Sequence, residues 1–263
     1  MAESEAEPFV LTERRGGVSI IRLNEPRTLN ALSPGIKAGL AEAVAGLSSD
    51  PGSRAIVITG TGRAFCAGGD IRSMDEHRAV PVRRRMQASH EWVLRLMTCE
   101  KPVLAAVNGV AAGAGFSIAL MADIVYAAED ARFKAGFPGI GAAPDLALAY
   151  TLPRAVGAMR AREILLTNRE VSAVEAQALG FVAAVYPAAG LLDEVLAIAD
   201  TLACGPSVSF GQTKRLIARS FELPLEAFLE QEAYAQMTAF GSDDFAEGVA
   251  AFRAKRKPEF RGE

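Results

Sequence analysis

The order of apolar and polar positions divides the chain into an alternating first part and a helical last part. Short apolar runs, typical of buried strands, lie at 55–59 and 103–107, and a hairpin is predicted over 9–23. Segments with helical spacing separate these runs, beginning with a helix that Ser33 caps. After residue 191 only helical spacing remains. The pattern therefore predicts an α/β core followed by a helical end.

The same spacing predicts the remaining elements. Further strands are expected at 124–127, 131–134 and 181–186, and helices at 34–47, 82–98, 116–122, 145–152, 158–166, 172–179, 191–204, 207–221, 225–240 and 242–256. The last helices carry large apolar residues such as Tyr234, Met237, Phe240 and Phe245. A free appendage would not expose so much apolar surface, so we expect burial against the core or another subunit.

Composition narrows the class of protein. The 263 residues carry a net charge of −3, with 50% hydrophobic and 22% charged residues, which is typical of a soluble globular protein and argues against nucleic-acid binding. Three cysteines without a paired spacing and two histidines predict no metal site and suit a reducing cytoplasm. The run 83–85 is expected to be a solvated helix face. The start of the chain, 1–8, shows no leader.

The uncharged segment from Pro102 to Ala122 raises the question of a membrane span. Asn108 and three glycines interrupt it, and its first half is rich in strand formers while its second half has helical spacing. We therefore expect a buried strand, turn and helix, and no association with a membrane.

Two glycine-rich turns carry the candidate chemistry. One spans 62–70 after the strand at 55–59, and the other spans 108–115 after the strand at 103–107 and opens into a helix. Glycine allows close approach of a ligand to the backbone, and a helix N-terminus adds free N–H donors. Two such turns facing each other would place two N–H groups around one carbonyl oxygen. This arrangement is an oxyanion hole, and it indicates acyl chemistry.

The residues around these turns resemble the crotonase superfamily, the enoyl-CoA hydratases and isomerases. The resemblance covers nearly the whole chain, and the segments that carry it are 23–32, 63–71, 101–103, 108–115, 123–124, 153–157, 247–248 and 252–258. It implies an α/β fold in which residues 1–200 form a spiral of ββα units that binds acyl-CoA. Residues 201–263 would form a helical trimerisation region, in a homotrimer or a dimer of trimers.

The resemblance also implies a substrate and a set of site residues. The substrate would be an acyl-CoA thioester, with no separate cofactor and no metal. By position, the N–H groups of Ala67 and Ala114 would be the oxyanion-hole donors, and Arg27 would meet a CoA phosphate. The residues expected to line the substrate are Ala31, Ala67, Gly68, Gly69, Asp70, Ile71, Gly113 and Phe137.

Departures from the family pattern bear on the reaction. The two glutamates of family hydratases fall by position on Ser117 and Phe137, so simple hydration is disfavoured. The acid left in this region is Asp145. Its place between Pro144 and an apolar helical run is also typical of an N-cap. The resemblance to family isomerases that carry an aspartate at this position, including that of phenylacetate degradation, favours catalysis.

Three functions follow from these residues. In the first, Asp145 moves a proton so that a 3-enoyl-CoA becomes a 2-enoyl-CoA. In the second, which follows the resemblance to the 4-chlorobenzoyl-CoA dehalogenases, Asp145 is a nucleophile and His90 a base for dehalogenation or thioester hydrolysis. In the third, the protein binds acyl-CoA as a scaffold without catalysis. We expect the isomerase.

Overall fold

The computed structural model describes residues 7–263, so most of the acidic start, 1–6, lies outside the described residues. The strands of the described part are β1 (Val10–Arg15), β2 (Val18–Leu23), β3 (Ala55–Gly60), β4 (Ala64–Cys66), β5 (Val103–Val107), β6 (Val110–Ala112), β7 (Ile124–Ala128), β8 (Arg132–Lys134), β9 (Glu170–Ser172) and β10 (Ala184–Tyr186). The α-helices are α1 (Pro34–Ser49), α2 (Ala79–Met97), α3 (Ala114–Ala119), α4 (Leu148–Val156), α5 (Ala158–Thr167), α6 (Ala173–Leu179), α7 (Leu191–Ala203), α8 (Ser207–Arg219), α9 (Leu225–Phe240) and α10 (Asp243–Ala254).

The strands form two sheets. The larger sheet has the order β1-β2-β3-β5-β7-β10, and the smaller sheet has the order β4-β6-β8-β9. The hairpin β1-β2 and the pair β8-β9 are antiparallel, and the other pairs are parallel. Each of β3, β5 and β7 is followed at once by a short strand of the smaller sheet. This repetition builds the chain from ββα units.

The pairing of β4 with β6 positions the two glycine turns. Ala64 pairs with Val110 and Cys66 with Ala111, so the short strand inside each turn lies beside the other. The turns are therefore neighbours because of the second sheet. Three residues carry little periodicity, and β4, β6 and β9 were not predicted, whereas the equally short β8 and β10 lie within predicted strands.

Most predicted elements are confirmed within a few residues. Ser33 caps α1, its hydroxyl accepting from the N–H of Ile36. The uncharged segment 102–122 forms the expected strand β5 and helix α3, with the unpredicted strand β6 between them. In residues 7–263, no helix combines the length and apolar character that crossing a membrane would require.

The start of α4 corrects two predictions. The helix begins at Leu148 rather than at Asp145, and its N-cap is Ala147, which makes no side-chain capping hydrogen bond. Asp145 is therefore not a cap. The predicted end at residue 152 is also wrong, because Pro153 lies inside the helix, which continues to Val156. Its fixed φ is compatible with a helix, although its missing N–H removes one helical hydrogen bond.

The helical end of the chain is attached to the core by polar contacts. Arg54, which precedes β3, donates to the carbonyls of Gly205 at 2.6 Å and Phe260 at 3.2 Å. Lys214 on α8 lies 2.7 Å from the Asp123 carboxylate. The apolar side chains of α9 are not buried in this chain's own core, since Tyr234 and Met237 are 58% and 66% exposed. The expected burial of these two side chains against the chain's own core is therefore wrong.

Candidate active site

The two glycine turns are in direct backbone contact. A Cβ on Gly68 (φ +108°) would lie 2.9 Å from the carbonyl oxygen of Ala112, and one on Gly113 (φ +51°) would lie 3.6 Å from the Cα of Gly68. A Cβ on Gly115 would overlap the carbonyl oxygen of Cys66. Side chains at positions 68 and 115 would push the turns apart, whereas position 113 has room for a Cβ and is restricted by its positive φ. Glycine is needed here for both the close approach and the positive φ.

The prediction that the Ala67 N–H is an oxyanion-hole donor is wrong. The Ala67 N–H donates to the carbonyl of Leu29 at 2.9 Å, so the fold already uses it. Among residues 7–263, no acceptor lies within hydrogen-bond reach of the N–H of Gly69 or of Ala114. Ala114 is the first residue of α3, where a helix leaves its N–H groups free. Gly69 and Ala114 are therefore the candidate donors.

The peptide unit of each candidate donor is held from its carbonyl side. The Gly68 carbonyl accepts from the N–H of Leu32 at 2.7 Å, and the Gly113 carbonyl accepts from the N–H of Ser117 at 3.1 Å. In a planar trans peptide, the carbonyl and the following N–H point in opposite directions. Fixing each carbonyl therefore directs the N–H of Gly69 and Ala114 away from these partners.

Two asparagines hold the first turn in shape. Asn30, fully buried, accepts from the N–H of Glu25 at 2.9 Å and donates to the carbonyls of Thr61 and Ala64 at 3.0 and 2.8 Å. Asn108 accepts from the N–H of Gly60 and also donates to Ala64. Both belong to the segments that carry the family resemblance. The sequence alone does not show that their amides replace the backbone ladder in this turn.

Asp145 is half-buried, and its Oδ1 has no hydrogen-bond partner among the described residues. Burial raises the pKa of its carboxyl above the ordinary value, and the positive charges of Lys37 and Arg85 act in the opposite direction. The next two residues, Leu146 (φ 47°) and Ala147 (φ 65°), have left-handed backbone. That conformation costs energy in residues with a Cβ, and such strain is often found at functional sites.

Ser117 and Phe137 lie at the second turn, between Gly113 and Asp145. The Ser117 hydroxyl, fully buried on α3, lies 3.0 Å from the carbonyl oxygen of Asp145 and 3.2 Å from that of Gly113. The Phe137 ring is also buried, and its Cζ would be 3.9 Å from a Cβ on Gly113. Neither side chain can act as a carboxylate acid or base.

Four of the residues expected to contact the substrate lie in or before the first turn. Arg27 is exposed in a short 3-10 turn, Pro26–Thr28, and Ala31 is half-buried beyond it. Asp70 accepts hydrogen bonds from the guanidinium of Arg72, which keeps the pKa of its carboxyl low. The Ile71 side chain is 67% exposed. These residues form a rim of mixed polarity on the first turn.

Among residues 7–263, His90 donates no hydrogen bond to the Oδ1 of Asp145. It is exposed on α2, whose buried face is formed by other residues, such as Ser89 and Trp92. By contrast, Arg85 on the same helix is half-buried and close enough for its charge to act on Asp145. The run 83–85 is thus not wholly a solvated face. The sequence pattern did not predict that Arg85 and Lys37 act on Asp145. Helical spacing alone does not show which residues approach a side chain from a distant segment.

The part of the chain that the structure describes contains no cluster of three or more potential metal ligands. Cys66 is completely buried inside the first turn, and burial raises the pKa of its thiol to about 12. A thiol in this state is a packing group rather than a nucleophile. The ionisable chemistry of the site thus centres on Asp145.

Comparison with known proteins places this site in a family. The model of a family described as Enoyl-CoA hydratase/isomerase matches residues 13–263. The chain is 36% identical over 258 residues to 1,2-epoxyphenylacetyl-CoA isomerase of Escherichia coli (strain K12), covering 97% of this chain and 98% of that protein. It is 34% identical over 256 residues to the mitochondrial enoyl-CoA hydratase of Pongo abelii, with 96% and 88% coverage.

Solved structures agree with this assignment. The crystal structure of an enoyl-CoA hydratase from Polaromonas sp. JS666 matches with a TM-score of 0.90 at 33% identity, covering 95% of this chain and 99% of that one. The fold is that of the crotonases, with ββα units and a helical C-terminal region. The chain belongs to the enoyl-CoA hydratase/isomerase family.

Proposed function

We propose that this protein is an enoyl-CoA isomerase that converts a 3-enoyl-CoA into the conjugated 2-enoyl-CoA. The observation that carries the proposal is the state of Asp145: its half-buried carboxyl group has an oxygen without a partner among the described residues, and its backbone carbonyl accepts a hydrogen bond from Ser117 beside the second turn. The relatives carry both hydratase and isomerase names, so names do not decide the reaction. Ser117 and Phe137 supply no second carboxylate, and moving a double bond needs only one.

The proposed reaction is a proton transfer in two steps. The N–H groups of Gly69 and Ala114 receive the thioester oxygen, and Asp145 removes a proton from C2 of the 3-enoyl chain. The electron pair of that C–H bond moves into a dienolate, whose negative oxygen the two amides stabilise. Asp145, now protonated, returns the proton to C4. By analogy with known oxyanion holes, each donor contributes about 2.7–4 kcal/mol to transition-state stabilisation.

The test compares wild type with Asp145→Asn, which keeps the shape of the side chain and removes its basicity. Wild type should form the conjugated product from a short 3-enoyl-CoA, measured by its ultraviolet absorbance. The variant should bind the thioester normally and lose about 10²–10⁴-fold in rate. Equal rates for the two proteins would refute the role of Asp145. Thioester binding without turnover in wild type would favour the scaffold.

The dehalogenase hypothesis needs a base that acts with Asp145, and its candidate, His90, is exposed on α2. A parallel assay with 4-chlorobenzoyl-CoA examines that reaction directly. Chloride release by wild type, lost in His90→Ala, would replace the isomerase with the dehalogenase. We expect no chloride release.

We further propose that the protein acts as a homotrimer or a dimer of trimers, in the cytoplasm, with CoA entering only as part of the substrate. The support for assembly is the apolar surface of the helical region 201–263, including Leu225 at 72% exposed and Phe252 at 85%. The proposed reaction moves protons alone, and so it requires neither a metal nor a separate cofactor.

A further inference from the structure

Ser117 has a fully buried hydroxyl between two carbonyl groups of different segments. Its Oγ lies 3.2 Å from the oxygen of Gly113 in the second turn and 3.0 Å from the oxygen of Asp145. A hydroxyl has one proton, so the two acceptors share it. Each of these oxygens also accepts from a backbone N–H, so the hydroxyl is the second donor to both. The hydroxyl thus links the two segments.

The first partner controls an oxyanion donor. The carbonyl of Gly113 belongs to the same planar peptide unit as the N–H of Ala114. That carbonyl is held twice by Ser117, through its backbone N–H at 3.1 Å and through its hydroxyl. A tilt of this peptide would turn the Ala114 N–H away from the position of the thioester oxygen.

The second partner controls the base. After Asp145 the chain passes through two left-handed residues, Leu146 and Ala147, before α4 begins. A strained segment keeps its conformation only where surrounding contacts hold it. The carbonyl of Asp145 accepts from the N–H of Leu148 at 3.1 Å and from the Ser117 hydroxyl. The second bond is the one that joins the segment to α3.

We propose that Ser117 is a positioning residue, whose hydroxyl sets the placement of the Asp145 carboxylate relative to the Ala114 N–H. The proposal rests on the proposed function, in which Asp145 moves the proton and Ala114 polarises the thioester. In this role Ser117 acts through the carbonyl groups of Gly113 and Asp145. At a position where family hydratases carry a glutamate, this chain thus has a residue that supports the single remaining carboxylate.

The test compares Ser117→Ala with a matched control, Ser19→Ala. Ser19 is equally buried, in β2, and its hydroxyl has no partner among the described residues. A third variant, Ser117→Cys, keeps the shape and replaces the hydroxyl with a weak donor. It separates loss of the hydrogen bond from a failure of Ser117→Ala to fold.

Two readouts are needed. The first is kcat and KM for isomerisation of a 3-enoyl-CoA. The second is the absorbance of bound cinnamoyl-CoA, a conjugated thioester whose band moves to longer wavelength when its carbonyl is polarised. We expect both Ser117 variants to lower kcat on the order of tenfold, as for one lost hydrogen bond, with KM little changed. Both should also show a smaller wavelength shift than wild type, and Ser19→Ala should match wild type.

Each outcome has a distinct meaning. Wild-type kcat and wavelength shift in a folded Ser117 variant would overturn the proposal. An equal loss in Ser19→Ala would also overturn it, because packing alone would then explain the effect. If wild type does not isomerise the substrate but polarises cinnamoyl-CoA, the proposed function fails. A reduced shift in Ser117→Ala would then still support the placement of the Ala114 donor.

Discussion

At the scale of single residues, the protonation of Asp145 depends on two opposing influences. Burial favours the neutral carboxyl, whereas the positive charges of Lys37 and Arg85 favour the carboxylate. Lys37 is itself half-buried on α1, and burial lowers the pKa of its ammonium group. A proton shuttle benefits from this balance, because the base must give up its proton as readily as it takes one.

Removing the charge of Lys37 should change the pH dependence of the reaction. In Lys37→Met the pKa of Asp145 rises, because one of its two stabilising cations is lost and Arg85 alone remains. Since the base acts when ionised, the acidic limb of the kcat/KM profile should move to higher pH. Arg83→Met, at an exposed position of α2, serves as the control and should leave the profile in place. An acidic limb that does not move in Lys37→Met would contradict this electrostatic coupling.

Asp145 should also lower the stability of the fold at neutral pH. Its pKa is higher in the folded state than in the unfolded chain, so ionisation above that pKa disfavours folding. Asp145→Asn should therefore have a higher free energy of unfolding than wild type at neutral pH. The difference should shrink as the pH falls through the folded pKa, because wild type then gains its proton. Urea denaturation at several pH values measures this, and a less stable variant at neutral pH would argue against burial as the cause.

At the scale of elements, the first glycine turn depends on side chains for hydrogen bonds that strand pairing does not provide. The first turn contains only the three-residue strand β4, and the amides of Asn30 and Asn108 supply the partners that a longer ladder would provide. Asn30 also adopts a left-handed φ of 57°, which asparagine tolerates better than most residues. These two residues keep the turn rigid enough to present the Gly69 N–H.

Replacing Asn30 with alanine should strongly destabilise the protein. The change leaves the N–H of Glu25 and the carbonyl of Thr61 without this partner, whereas the Ala64 carbonyl keeps Asn108, and each buried unpaired group costs about 1–3 kcal/mol. We expect a loss of roughly 2 kcal/mol or more in the free energy of unfolding from these two penalties, measured by urea denaturation. Asn24→Ala, which removes a single exposed hydrogen bond to Pro8, should cost far less. Similar losses in the two variants would contradict the assigned role of Asn30.

At the scale of the whole molecule, the chain leaves apolar surface uncovered. On α9 only Ala235 is buried, whereas Leu229, Tyr234, Met237 and Phe240 are each more than half exposed. A single soluble chain rarely presents so much apolar surface along one helix. Since the chain's own core does not cover these residues, a second copy is the cover that the proposed assembly provides.

Sedimentation at micromolar concentration should therefore show a particle of three or six times 27.7 kDa. Met237→Lys places a charge in the proposed interface and should shift the distribution toward smaller species. Glu230→Lys, at an exposed polar position of the same helix, should leave it unchanged. A monomeric wild type would refute the assembly, and equal effects of the two variants would refute α9 as its contact.

The sequence by itself determined the α/β class, the positions of most strands and helices, the two glycine turns and the one acid beside them. These features are local, since periodicity, caps and glycine act over a few neighbouring residues. The hairpin, α1 and β5 needed no knowledge of the rest of the chain. The family resemblance was also visible in the sequence, because the motifs are contiguous.

Only the tertiary structure decided which groups of those segments are available for chemistry. The carbonyl of Leu29 occupies the Ala67 amide and leaves the Gly69 amide free, although both lie in the same turn. His90 is exposed while Lys37 and Arg85 approach Asp145. The pattern of apolar and polar residues predicts the position of a residue within its own helix, strand or turn. The partner of an amide or a carboxylate comes from a distant part of the chain, and packing alone brings the two together.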